Sequence, residues 1–132
     1  MSQRPAAVGL LVCEQVIVEE GTQNVTPVNS FRRRIVQKFP SEPLSFAVLA
    51  ILNDGVGEIR LDLAISRLDI DEDIYKRSTA VRFENQLQEW RCLFRIRSCS
   101  FPVPGIYEVA IFADKEMIAQ RRIRIIQKEP TS

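Results

Sequence analysis

The chain has 132 residues, 45% hydrophobic and 27% charged, a length and balance that fit one globular domain around one core. Eighteen Lys and Arg against seventeen Asp and Glu leave a net charge of +1, which removes the global argument for a nucleic-acid or anionic-membrane partner. The absence of histidine excludes imidazole bases, Cys-His and Ser-His pairs and histidine-ligated zinc, and a core of this size needs no disulfide or metal to be stable.

Alternation with a period of two recurs along the whole chain, punctuated by short turn signals. Leu11 to Val18 predicts a first strand, stopped at Glu19-Glu20-Gly21-Thr22. Asn24 to Phe31 carries Val25, Val28 and Phe31 with Pro27 among them, so it is expected at an edge or a bulge, because proline lacks the N–H a central strand must donate. Phe39-Pro40-Ser41-Glu42-Pro43 is a stiff connection. Leu44 to Leu52, almost unbroken apolar, predicts a central strand covered on both faces, with a buried helix as the alternative, and Asn53-Asp54-Gly55-Val56-Gly57 a reverse turn.

In Glu58 to Ser66, Ile59, Leu61, Leu63 and Ile65 face the core, while Glu58, Arg60, Asp62 and Ser66 face water. An acidic turn, Asp69 to Asp73, precedes a strand within Tyr75 to Phe83, and Glu84 to Glu89 is polar enough for a loop or a single helical turn. In Arg91 to Arg97 the inner set is Cys92, Phe94 and Ile96, and Arg91, Arg95 and Arg97 point outward. Phe101 to Gly105 turns the chain into Ile106 to Ala113, with Tyr107, Val109 and Ile111 on one face. Asp114-Lys115 closes a hairpin with Met117 to Ile126, which is expected to pair antiparallel with the strand before it.

Seven or eight strands with little helix predict an all-β antiparallel sandwich of immunoglobulin-like type, with a small β-barrel as the alternative. Residues 1–132 form one domain, with 1–7 and 127–132 expected as flexible tails. Arg4 to Cys13 could pass for a short secretory or lipoprotein signal. Its apolar run is too short, Val12 rather than a small residue precedes Cys13, and Glu14 to Val18 resumes as strand. No run approaches a membrane span, and three cysteines without Cys-x-x-Cys spacing favour a reduced, cytoplasmic chain.

Three features together, the apolar strand ending in Cys13-Glu14, the Phe39-Pro40 connection and Pro104-Gly105-x-Tyr107 before the closing hairpin, resemble a group of small bacterial proteins of unassigned function. The similarity runs from about Leu10 to Ile126 and implies an immunoglobulin-like sandwich; it carries no catalytic residue across. Asp114-Lys115 departs from the Asp-Gly turn that would be expected there.

Residues in patterns that carry known chemistry are sparse. Asp69, Asp71, Glu72 and Asp73 lack the spacing of a calcium loop, so no metal is expected. Dinucleotide and P-loop glycine patterns and the Gly-x-Ser-x-Gly elbow are absent, so neither catalysis nor a cofactor is expected. Cys13 and Cys92, set among apolar residues, are expected as small buried hydrophobes; if one thiol were reactive it would be Cys92, flanked by Arg91 and near Arg95. Arg32-Arg33-Arg34, the Arg91, Arg95, Arg97 ladder and Arg121, Arg122, Arg124 would form a positive stripe if two of them shared a face. Pairing with Glu58, Asp62 and Glu108 is the plainer account.

The leading expectation is therefore a non-catalytic module that presents a sheet face or edge to another protein or to copies of itself. Apolar strands at both chain ends are expected to supply the edges. The candidate surface is Arg91, Arg95, Arg97, Arg121, Arg122, Arg124, Trp90 and Tyr75. The alternatives are a carbohydrate- or small-ligand-binding sandwich using Trp90, Tyr75 and loop carboxylates, and a weak nucleic-acid binder.

Overall fold

The computed structural model, described for residues 2–129, turns the period-two pattern into nine strands and, among those residues, no helix. They are β1 (Ala6–Val18), β2 (Val25–Ser30), β3 (Arg33–Val36), β4 (Leu44–Asn53), β5 (Gly57–Arg67), β6 (Glu72–Phe83), β7 (Trp90–Cys99), β8 (Gly105–Ala113) and β9 (Glu116–Gln127). A four-stranded sheet in the order β2-β1-β4-β7 lies against a five-stranded sheet in the order β3-β9-β8-β5-β6. Neither closes on itself, so the architecture is the sandwich and not the barrel.

The strand missing from the sequence reading is β3. It runs parallel to β9, with Ile35 beside Ile126, and makes the five-stranded sheet mixed where an antiparallel one was expected. Four residues, two of them arginine, are too few to display alternation, and a parallel neighbour far along the chain leaves no turn signal. The end strands are also not edges: β1 lies between β2 and β4, and β9 between β3 and β8. The edges are β2, β7, β3 and β6. Pro27 sits on one of them, as its missing N–H requires.

Within the stretches expected as tails, Gln3, Ala6, Ala7, Gln127 and Lys128 are bonded to the rest of the fold. Gln3 exchanges main-chain bonds of 2.8 and 3.1 Å with Val56, Ala6 and Ala7 pair with Asn53 and Leu52, and the Lys128 N–H donates to Val36 at 2.7 Å. The main chain of any residue but proline can both donate to and accept from a ladder whatever its side chain, so polarity alone does not reveal these bonds. Residues 1 and 130–132 of the expected tails lie outside the described residues.

The core is the set of inward faces. Ile59, Leu61, Leu63 and Ile65 of β5 are fully buried against Val48 and Leu52 of β4, Phe94 and Ile96 of β7, and Val109 and Ile111 of β8. On the outer face of the four-stranded sheet Cys13, Val16, Ala47 and Leu49 form a second, smaller cluster. This is why β4 reads as apolar on both sides. At one end of the core Phe101 stacks on Phe46 (centroids 6.2 Å apart) and meets Tyr107 edge-on (4.9 Å), while Phe31 meets Phe46 edge-on. The Tyr107 hydroxyl donates to the Val103 carbonyl at 2.6 Å, which satisfies a buried phenol locally.

Two turns carry testable strain. Gly55 is buried in the β4–β5 turn, and a Cβ there would stand 2.6 Å from the Phe83 ring. Gly55→Ala should destabilise the fold by about 1–3 kcal/mol, read as a lowered denaturation midpoint, because neither ring nor main chain can yield cheaply. At the β8–β9 hairpin both Asp114 (φ 47°) and Lys115 (φ 72°) are left-handed, the signature of a type I′ turn that favours glycine at the second position. Lys115→Gly should therefore raise stability by about 0.5–1 kcal/mol. An unchanged or lower melting temperature would contradict the strain assigned to Lys115.

Candidate interaction groove between the two sheets

Five strands facing four leave one strand uncovered. The inward series on β6 is fixed by its pairing with the buried face of β5: Tyr75 opposes Ile65, Arg77 opposes Leu63, Thr79 opposes Leu61 and Val81 opposes Ile59. Val81 is buried, but Arg77 and Thr79, on the same face, are exposed because the four-stranded sheet stops at β7. Between the free edge of β7 and the bared inner face of β6 runs a groove open to solvent, with Trp90 towards one end and Tyr75 and Ser98 at the other.

The β6–β7 connection and Trp90 close the first end, where the Trp90 indole N–H donates to the Arg82 carbonyl at 2.8 Å and pins the sheets together. Trp90→Phe, which keeps an aromatic ring there but removes the N–H and part of the indole, should lose at least about 1 kcal/mol in a urea titration.

The edge of β7 is backbone-active. Arg77 Nη1 donates to the Arg95 carbonyl at 2.8 Å from across the groove, so that carbonyl points away from β4. In an extended strand the N–H and C=O of one residue point the same way and alternate residues share that direction, so Arg91, Leu93 and Arg95 present theirs to the groove. A charge on the inward face of an edge strand is a device that discourages indiscriminate strand pairing. Arg77 fills that role here.

The groove is also cationic. Arg77, Arg91, Arg95 and Arg97 line it, and no carboxylate does. Arg91 lies 3.6 Å from Glu89, whereas Arg77, Arg95 and Arg97 have no carboxylate within 4.0 Å among the described residues. Arg95 Nη2 instead reaches over the outer face to the Val16 carbonyl at 3.3 Å.

Of the residues singled out from sequence, Tyr75, Trp90, Arg91, Arg95 and Arg97 thus meet along this groove. Arg121, Arg122 and Arg124 do not. They stand on β9 in the other sheet, with Arg121 donating to the Leu10 carbonyl, Arg122 opposite Glu108, and Arg124 beside Arg33. The β7 and β9 ladders share no face; the two clusters that do meet are Arg32-Arg33 and Arg124, which line one surface where β3 pairs with β9, in the other sheet from the β7 ladder. Glu58 and Asp62, proposed as partners of these ladders, also belong to the five-stranded sheet: Glu58 faces Arg82, and Asp62 takes the Ser78 hydroxyl and Arg60, which hold its carboxyl below the ordinary range.

The loop carboxylates do not converge on Trp90 and Tyr75 either. Asp69 is engaged by Arg67 through two bonds, which lower its pKa, and Asp73 takes Ser66 and Lys76. Arg77 escaped the sequence reading. The signal available was a cation at the parity of Tyr75, Thr79 and Val81.

The thiols are inert rather than activated. Cys13, Cys92 and Cys99 are free and buried. Cys92 is the small buried hydrophobe expected: burial pushes its thiol up to about 11, and Arg91 and Arg95 do not activate it because both stand on the outer face and the sulfur lies inside. No group of three His, Cys, Asp or Glu able to hold a metal occurs among the described residues, and no helix among them is long and apolar enough to cross a membrane.

Two face-packed sheets with open edges around a buried aromatic cluster define an immunoglobulin-like β-sandwich. The model of DUF6941, a family of unknown function, matches residues 9–126, and the chain belongs to that family. Among solved structures it is similar to an immunoglobulin-like protein from Pseudomonas aeruginosa, with 12% identity over 93% of this chain and 97% of that one and a TM-score of 0.42. It is also similar to a β-glucosidase from Listeria innocua, in crystals with isofagomine (11% identity) and without it (10%), both with a TM-score of 0.45. That match covers 92% of this chain and 16% of the β-glucosidase, so the chain spans about a sixth of that enzyme's length. No curated protein matches it.

Proposed function

We propose that this domain is a non-catalytic interaction module that takes up an extended segment of another protein as an added strand on β7. The observation that carries the reading is the uncovered inner face of β6 beside the free main-chain edge of β7. A fifth strand there would make ladder bonds to β7 and cover Arg77 and Thr79, so that five strands face five. Main-chain bonds would supply affinity, and the side chains on either side of the added strand would supply selectivity. Three cysteines left unbonded fit a reducing compartment, the cytoplasm.

The test is amide exchange with binders selected from a library of extended decapeptides. Binders should slow exchange at Leu93 and Arg95, whose N–H groups face the groove, and leave β2 and β3 unchanged. Protection confined to other edges, or a library with no binder, would sink strand addition on β7.

A further inference from the structure

Resting on that strand-addition reading, we infer that the segment accepted by the β6–β7 groove is acidic, with carboxylates on both of its faces. A strand beside β7 alternates its side chains. One set would lie inward over Arg77, and the other would lie outward beside Arg91 and Arg97, while Arg95 turns away across β4 to the Val16 carbonyl. Arg77, Arg95 and Arg97 have no carboxylate within 4.0 Å among the described residues, so like charge accumulates along the groove until a partner supplies the opposite sign.

A second copy fits poorly. Antiparallel β7–β7 pairing centred on Leu93 sets Arg91 opposite Arg95, pairing centred on Phe94 sets Arg91 opposite Arg97, and pairing centred on Arg95 sets that residue against itself. The chain's own acidic turn is no better a donor, since Asp69 and Asp73 already hold Arg67 and Lys76. A nucleic-acid strand would want aromatic platforms, and here the Trp90 indole is bonded to Arg82 and Tyr75 is half-buried.

The experiment uses the full chain and fluorescein-labelled decapeptides on one Thr/Val framework: neutral, with glutamate at four positions, or with lysine at those positions, beside a ten-nucleotide oligothymidylate. Fluorescence anisotropy at low ionic strength should show the glutamate peptide binding at least tenfold tighter than the neutral one, with affinity falling as salt rises. Arg97→Glu, exposed and without a side-chain bond among the described residues, should weaken it about tenfold at unchanged melting temperature; Arg77→Glu, which also gives up the bond to the Arg95 carbonyl, should weaken it about tenfold with a slightly lowered melting temperature, and their double variant should prefer the lysine peptide.

Equal binding of neutral and acidic peptides, with Leu93 and Arg95 still protected, would remove the acidic preference and leave strand addition standing. No binding by any peptide would remove both. Tighter binding of oligothymidylate than of the glutamate peptide would reassign the groove to nucleic acid.

Discussion

Truncating Phe101 to alanine should lower the unfolding free energy by about 3–5 kcal/mol, a large share of the roughly 5–15 kcal/mol that holds a domain of this kind together. The residue just beyond β7 is 1% exposed and sits between Phe46 and Tyr107. Its main chain is fixed from both sides: the Phe101 N–H donates to Ser41 Oγ, and its carbonyl accepts from the Ser41 N–H, each at 2.9 Å. The loop therefore cannot slide inward to fill the void, and the lost aromatic pairs add to the lost burial. Phe101→Leu should fall between the wild type and alanine. Urea denaturation of both variants measures this, and an alanine cost under about 1 kcal/mol would mean the site collapses freely.

The second large effect is alkaline. Burial pushes the Cys92 and Cys99 thiols from an ordinary value of 9.0 up to about 11. A pKa raised in the folded state means that the folded protein keeps a proton the unfolded chain gives up. This stabilising contribution is complete below pH 9 and is lost as pH rises from about 9 to about 11. At about 1.4 kcal/mol per pH unit for a buried thiol, a loss on the order of 1–3 kcal/mol per thiol is expected across that window. Burial raises the Tyr107 phenol as well, and it acts in the same direction.

Melting temperatures taken between pH 8 and 11 should fall steeply, and Cys92→Ala, compared with its own pH 8 value, should flatten the slope. The same burial predicts that an aromatic disulfide reagent labels native protein at pH 8 no faster than the chain opens. Rapid labelling of Cys92 in the folded state would contradict its placement inside the sheet.

What the sequence disclosed followed from burial. The strict alternation of β5 and the Cys92, Phe94, Ile96 series of β7 are legible because one face is packed and the other wet, and a one-residue slip would reverse them. Leu44 to Leu52 read as central because the outer cluster of Cys13, Val16, Ala47 and Leu49 covers its second face. The short β3 lay hidden inside an arginine run, and its parallel partner lies some ninety positions on. The groove could not be read at all, since it exists only because one sheet has a strand more than the other. Tyr75, Trp90 and three arginines of β7 were singled out for their chemistry, but only the offset between sheets sets them opposite Arg77. Arg121, Arg122 and Arg124 showed the same one-dimensional pattern and proved to belong to the other layer.

The interior position of β9 bears on how the chain is made. Its residues Glu116–Gln127 bond to β8 on one side and to Arg33–Val36 on the other, so the five-stranded layer cannot be completed until they have been synthesised. During translation the earlier strands wait with greasy faces and unfilled ladders, and a ribosome stalled before Glu116 would carry a nascent chain fit for chaperone capture rather than a native half-domain.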